Sequence, residues 1–571
     1  MRASERRYWL PGLGVLANYQ RSWLRYDLLA GVVLTALLIP AGMGYAEASG
    51  LPPETGLYAT IVPLLVYALV GPSRVLILGP DSALAPIIAA SVLPLAAGDP
   101  DRAVALAGLL AIMMGVLLLV GGVLHLGFVT DLLSKPIRVG YLNGIALVVI
   151  VGQLPKLLGF SNGADSFVGD VRATFEGVSD GLVNSTAMAI GLVSLVLIVG
   201  LRLLFKRVPG VLIAVVGAMI WVAAAGLDDD VPVVGALPRG VPAPALGGLT
   251  WGDAGSLIGP ALGIALIAFA DTGVLSRAFA ARHGETVSGS HEMRGIGLSN
   301  VASGMFGGFA VSASSSRTPV AEQAGARTQL VGVTGALLII GFVLVTPELT
   351  SYLPSSTLAA VVIVAAGGLI DLPAVVRLMN VNPIEGLLSI AAFLGVVLVG
   401  VLEGIVIAIA LSFIAFVNEA WRPYRAELVQ IPGTRGYHDR SRHPEGRRID
   451  GIVILRFDAP LFFANGGMFA DYVRSVVAAD PTTTTLILAA EPITDIDSTA
   501  VDDLVELDDF LASAGIDFII AEMKGPVKDR LARYGLDRRF GPERFAPTVG
   551  AAVDAVLGHE RDDIGHPSDR G

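Results

Sequence analysis

The chain has 571 residues, 53% hydrophobic and 16% charged, with a formal net charge of −11 and a mean hydropathy of +0.69. Soluble globular chains are about 25% charged, so most of this one is solvated by lipid. It has no cysteine, which excludes disulfides and thiolate metal sites, and no basic patch interleaved with aromatics speaks for nucleic acid.

Arg2, Arg6, Arg7, Arg21 and Arg25 flank the first apolar run, 28–39, and hold residues 1–27 in the cytoplasm, with no cleavable leader in view. Apolar runs of spanning length follow near 28–47, 56–70, 101–124, 137–155, 187–204 and 210–226. A second set lies near 255–280, 293–308, 328–346, 357–371, 384–400 and 403–418. Two shorter runs, near 80–95 and 315–325, complete a polytopic α-helical membrane protein of about fourteen segments. Each short run is third in a set of seven. Because seven is odd, consecutive sets lie oppositely in the bilayer, the signature of a 7+7 inverted repeat. The loops agree: Lys135 and Arg138, Arg277 and Arg294, Arg327, Arg377, and Arg422 with Arg425 fall on the cytoplasmic side. "AGDPDR", "GLDDDVP" and "TPELTSYLP" fall on the other, so both termini are cytoplasmic in a multi-pass protein of the cell membrane.

After Trp421 the texture becomes soluble α/β. "GIVILRF" (451–457), "TTLILAA" (484–490) and "DFIIAEM" (517–523) read as strands, and the stretches between them as helices with charged outer faces. The expected division is therefore a cytoplasmic segment 1–27, a membrane domain 28–420, a cytoplasmic domain 421–557 and a polar, disordered tail 558–571.

The two short runs carry the chemistry. They open on "LGPDSALAPIIAASV" (78–92) and "FAVSASSSRTPVAEQAG" (309–325). A helix N-terminus has N–H groups without partners and a partial positive charge, and inside a membrane those donors need an acceptor. Gly79-Pro80 starts such a helix, leaving the amides of Asp81, Ser82 and Ala83 to face a ligand; Ser314, Ser315 and Ser316 do the same for the second. Two such ends facing each other form an anion site; as plain loops they would form none. Arg317 marks an ion path or ties helices together. Asp271, on an otherwise apolar helix, carries a coupling proton, ligates sodium, or pairs structurally with Arg317. Tyr45 either faces the ligand or packs, and Glu47 lies near the interface. No nucleophile–base pair or metal constellation points to an enzyme, a metal or a cofactor.

"LLAGVVLTALLIPAGMGYAEASGLPPETGLYATIVPLLVYALVGPSR", followed by "LGPDSALAP", resembles the N-terminal signature of the sulfate permease (SulP) family, which includes the anion exchangers of solute carrier family 26. "RHGETVSGSHEMRGIGLSNVASGMFGGFAVSASSSRT" resembles its second signature, and the C-terminal domain resembles the family's STAS domain. The resemblance implies a mobile core domain and a gate domain, alternating access of an elevator kind, an anion held between segments three and ten, and homodimers. Ser316 and Arg317 match the serine and arginine that open the tenth segment, Asp271 an acid linked with cation coupling, and Tyr45 an aromatic lining the site. Ala41 departs from a glutamine common there, and Leu275 lacks an oxygen that a sodium-dependent relative supplies, so protons are expected before sodium. Sulfate uptake is the implied function. Bicarbonate, a dicarboxylate, or an anion channel or sensor with STAS output are the alternatives. In "DIDSTAVDDL", Ser498 matches a phosphorylatable serine, or else Ser498 or Thr499 caps the helix with support from Asp502.

Overall fold

The computed structural model describes residues 11–12, 14, 19–126, 134–161, 166–205, 209–238, 240, 243–244, 246–282, 286–313, 317–434 and 436–558. Most of the expected N-terminal segment before Tyr19 and the expected disordered tail after Gly558 lie outside them. The chain divides into two compact units, residues 1–412 and 413–571.

Fourteen segments make up the first unit among the described residues. They are α1 (Leu24–Ala48), α2 (Pro53–Val70), α3 (Ala85–Ala96), α4 (Pro100–Val123), α5 (Lys135–Leu157), α6 (Ser185–Leu204) and α7 (Gly210–Ala225). The second seven are α8 (Trp251–Arg282), α9 (Gly289–Met305), α10 (Arg317–Gln323), α11 (Leu330–Val345), α12 (Ser355–Gly367), α13 (Pro383–Leu394) and α14 (Val401–Trp421), the last running across the division between the units. Seven helices are long and apolar enough to cross a membrane, and five shorter ones are apolar. Two helices were not foreseen from sequence, Phe167–Ser179 and Leu372–Val381. Each buries a single residue, so its polar face hides it from any search for apolar runs.

The inverted repeat is visible in the packing. α1 packs on α11 as α8 packs on α4, α2 on α11 as α9 on α4, α1 on α10 as α8 on α3, and α6 on α12 as α13 on α5. Each contact becomes its counterpart when seven is added to one segment number and subtracted from the other, which is what a 7+7 repeat requires. Segments 1–4 with 8–11 form one bundle, and segments 5–7 with 12 and 13 the other.

The pair α4–α9 shows how a segment rich in glycine and serine stays in the membrane core. A Cβ added at Gly304 would lie 2.1 Å from the Gly108 carbonyl oxygen, and one added at Gly297 would lie 2.7 Å from that of Gly115. Bare backbones touch at two points one heptad apart, so van der Waals contact replaces the side-chain packing that lipid would not reward. Gly297→Leu is therefore expected to destabilise the protein by about 3 kcal/mol, seen as a lower melting temperature of the purified protein. Gly217→Leu on α7, where an added Cβ meets nothing within 4 Å, should leave it unchanged.

The second unit is a six-stranded sheet in the order β4-β3-β5-β6-β7-β8, built from Arg425–Gln430 (β3), Tyr437–Asp439 (β4), Ile452–Phe457 (β5), Thr485–Ala489 (β6), Asp517–Ala521 (β7) and Phe545–Ala546 (β8). β5 to β8 run parallel, while β3 is antiparallel to both β4 and β5. The three expected strands are its buried centre: every residue of β6 is buried, as a parallel strand covered on both faces must be. Helices α15 (Gly466–Ala478), α16 (Ser498–Ser513), α17 (Gly525–Arg533) and α18 (Val549–Leu557) complete the unit. The cap of α16 is Asp497, neither Ser498 nor Thr499: its carboxylate accepts from the Ala500 amide at 2.9 Å and from the Phe463 amide at 2.8 Å. One side chain thereby fixes both the helix start and the preceding loop. Ser498 is left exposed as the first helical residue. Nearby Asp503 is held above its ordinary range by burial and then by Glu506 and Asp502, so a phosphoryl group at Ser498 would join an acidic surface.

Candidate anion site

The two broken stretches meet as a ribbon. Leu78–Gly79 (β1) pairs antiparallel with Ser312–Ala313 (β2), Leu78 opposite Ala313 and Gly79 opposite Ser312. Irregular backbone at this depth must be satisfied by protein, and it is. Gln329 donates to the carbonyls of Ser73 (2.8 Å) and Leu76 (2.9 Å), and the Thr318 hydroxyl accepts from the Ile77 amide at 3.2 Å. On the other arm, Asn300 donates to the Val311 carbonyl (3.0 Å) and accepts from its amide (2.8 Å), while the Ser303 hydroxyl donates to the Phe309 carbonyl at 2.8 Å. The Ala313 amide donates to the Thr272 hydroxyl of α8 at 3.2 Å.

The first half-helix starts later than Gly79-Pro80. Helical geometry begins at Ala85, with Pro86 in the first turn, and residues 82–84 form a turn closed by the Leu84 and Ala85 amides on the Asp81 carbonyl (3.2 and 3.1 Å). Pro80 is spent on leaving the ribbon, so a different proline opens the helix. Among the described residues the amides of Ser82 and Ala83 have no backbone acceptor. The second half-helix is α10; Ser314, Ser315 and Ser316, expected to point amides and hydroxyls at the ligand, lie outside the described residues.

Arg317 is 1% exposed. Its Nη2 donates to the Gly79 carbonyl at 3.1 Å, whereas Nε and Nη1 have no acceptor, and no ion pair joins it to a carboxylate among the described residues. Gly79 makes room for it: an added Cβ would stand 2.7 Å from Nη1. The Tyr141 hydroxyl on α5 is also buried without a partner. Tyr45 on α1 is buried in one apolar cluster with Leu84, Ile88 and Phe309, so packing is at least part of its role. The Asp81 carboxylate accepts from the Ser312 hydroxyl at 2.9 Å, which ties the turn to the opposite arm of the ribbon. Asp271 is partly exposed and is not paired with Arg317; the charged groups acting on it are Asp81 and Arg138. Ala41 is buried, and Leu275 packs beside Tyr67 and Leu78. Glu47, expected at the interface, pairs with Lys156 of α5 at 3.4 Å.

Arg317 thus keeps two N–H donors without an acceptor in a region of low dielectric, which is the kind of group an anion can satisfy. Sequence reasoning missed Ser312, Thr272 and Tyr141. Ser312 belongs to the quoted serine string, but two-residue strands have no periodicity that would announce a partner. Gly79→Ala should push the guanidinium off its position and also strain the ribbon, because a φ of 158° is one that side chains rarely adopt. The purified variant should be less stable by about 1–3 kcal/mol, seen as a lower melting temperature.

Residues 24–392 match the sulfate permease family, and residues 443–552 match the STAS domain. A probable sulfate transporter of Mycobacterium tuberculosis is 38% identical over 549 residues, covering 96% of this chain and 98% of that protein. Probable sulfate transporter 3.4 of Arabidopsis thaliana is 29% identical over 570 residues, covering 94% of this chain and 86% of that protein. Among solved structures, the murine solute carrier 26 family member A9 anion transporter in its inward-facing state has the same fold, with a TM-score of 0.90 at 21% identity over 98% of this chain and 95% of that one. The transmembrane domain of the cyanobacterium bicarbonate transporter BicA is similar too, with a TM-score of 0.60 at 24% identity over 70% of this chain and 98% of that one.

Proposed function

Because the chain belongs to the sulfate permease family, with a STAS domain at its C-terminal end, we propose that it is a secondary active anion transporter that takes up sulfate together with protons. The observation that carries this reading is Arg317, buried to 1% exposure with two N–H donors unaccepted, and with the Asp81 carboxylate acting on it without a direct ion pair. A guanidinium removed from water needs an anion, and sulfate offers several oxygens to its fork and to the neighbouring amides of Ser82 and Ala83. Amides and one arginine recognise charge more than shape, so bicarbonate is the second substrate to try.

Asp271 is the coupling group in this reading. An ionised carboxylate beside the site repels an incoming anion, so a proton on Asp271 favours binding, and by reciprocity the bound anion favours the proton. The ribbon, α3, α8 and α10 belong to one bundle and Tyr141 and Arg138 to the other, so sliding one bundle along the other would carry the loaded site across the membrane. Ser498, exposed at the start of α16, is the place where a modification would act on the C-terminal unit.

Purified protein in proteoliposomes provides the test. An inwardly directed proton gradient should drive labelled sulfate above its equilibrium level. Sulfate that merely equilibrates, whatever gradient is imposed, would identify a channel and sink this reading.

A further inference from the structure

Away from the anion site, α9 buries a second carboxyl. Glu292 is 1% exposed, and all its bonds are to hydroxyls. Tyr67 of α2 donates to Oε1. Oε2 stands 3.0 Å from the Ser73 hydroxyl and 2.7 Å from that of Ser276 on α8, and the two serine oxygens are 2.7 Å from each other. Three oxygens thus form a triangle in which every side is a hydrogen-bond length.

Counting protons decides what this triangle holds. Two serine hydroxyls supply two protons for three contacts. With an ionised carboxylate, one side of the triangle sets lone pair against lone pair. With a proton on Oε2 the ring closes: Glu292 donates to one serine, that serine to the other, and the second serine back to Oε2. Charge points the same way, because burying an ionised carboxylate without a cation is costly. The charged and titratable groups around Glu292 are Tyr67 on α2, Arg74 beside Ser73, Arg277 beside Ser276, His125 just past α4, and His291 and Arg294 on α9 itself. Of these only Tyr67 bonds to it, and no cation is paired with it among the described residues. The rest of α4 facing α9 has no ionisable residue; Asp101 and Arg102 lie at its other end.

A route exists for the proton. Ser73 and Ser276 also line a cavity of about 120 Å³, whose other walls include Trp23, Arg74 and Phe279, and which reaches the exposed Arg327. The two serines that line it are the ones whose hydroxyls contact the carboxyl. We propose that Glu292 is a second proton-binding residue of this transporter, protonated in this state and exchanging its proton through the Ser73–Ser276 cavity. Where the proposed coupling places one proton on Asp271 beside the anion, this places another on a separate carboxyl beyond the ribbon; in that sense it rests on the reading of a proton-coupled transporter.

Infrared difference spectroscopy of the full-length protein in liposomes tests it. The carbonyl stretch of a protonated carboxylic acid should be present near neutral pH in Asp271→Asn, where the other proton-carrying carboxyl is gone, and lost when Glu292→Gln is added to it. Its absence from Asp271→Asn, or its survival in the double variant, overturns the proposal. If Glu292→Gln does not fold, Ser276→Ala serves, since removing one side of the triangle should shift that band; an unshifted band overturns the proposal equally. In transport, Glu292→Gln should retain sulfate–sulfate exchange while losing part of the wild-type pH dependence, and an unaltered pH profile counts against it. Failure of proton-driven uptake in the wild type would remove the proposed coupling but leave the infrared result standing, so the two readings fail separately.

Discussion

Arg317→Ala is expected to abolish sulfate uptake at ordinary substrate concentrations while leaving a folded protein. Two charge-assisted hydrogen bonds from Nε and Nη1 are available to a ligand, each contributing about 1.5–3 kcal/mol. Losing both weakens anion binding by at least about 100-fold. The fold should survive because the guanidinium makes one hydrogen bond, to the Gly79 carbonyl, while the Asp81 carboxylate it leaves behind keeps the Ser312 hydroxyl. Arg317→Lys separates charge from geometry: an ammonium keeps the attraction but loses the planar fork, so partial uptake with a raised KM is expected. The measurements are labelled sulfate uptake and the melting temperature of the same preparations. Wild-type transport by Arg317→Ala would place the anion elsewhere.

Much of this fold could be read from composition alone, for identifiable reasons. The breaks in hydropathy at Gly79-Pro80 and at the serine string are abrupt, and their third place in each set of seven follows from counting. The packing pairs of α1 with α11 and α8 with α4 then express the same symmetry in space. What could not be read depended on contacts between residues far apart in the chain. The ribbon joining Leu78–Gly79 to Ser312–Ala313 involves four residues and has no pattern. The run near 293–308 is legible as a segment, but nothing local shows that Gly297 and Gly304 are what allow α9 to lie against Gly115 and Gly108. Nothing in the local sequence singles out Glu292 beside His291 and Arg294; only the arrival of Tyr67, Ser73 and Ser276 from three other elements shows it to be buried. The cap of α16 lies one residue before Ser498 and two before Thr499 because Asp497 also serves the Phe463 amide, a contact that local sequence does not contain. At the site itself, Arg317 was legible as a charge in a membrane segment, whereas its lack of an acceptor and its fit against Gly79 are properties of the fold.

Asp271→Asn is expected to leave anion binding intact and to remove proton drive. Asparagine keeps the size of the carboxyl but is neutral at every pH, so it mimics the protonated form permanently. In the wild type a linked proton makes sulfate binding weaken as pH rises, with a limiting slope of about tenfold per pH unit for one proton. The variant should bind with an affinity independent of pH over that range, as tightly as the wild type at low pH, and its uptake should stop at the equilibrium level under an imposed gradient. A structural role for Asp271 predicts something different: loss of binding at all pH values with the pH slope retained in whatever remains. The neighbouring Thr272 hydroxyl, which accepts from the Ala313 amide, is untouched by the change, so the ribbon keeps its anchor and the comparison isolates the carboxyl. An unchanged slope in Asp271→Asn would reject its coupling role outright. A lost slope, with the Glu292 infrared band undisturbed, would show that the two carboxyls titrate as separate sites, one beside the anion and one reached from the cavity at Ser73 and Ser276.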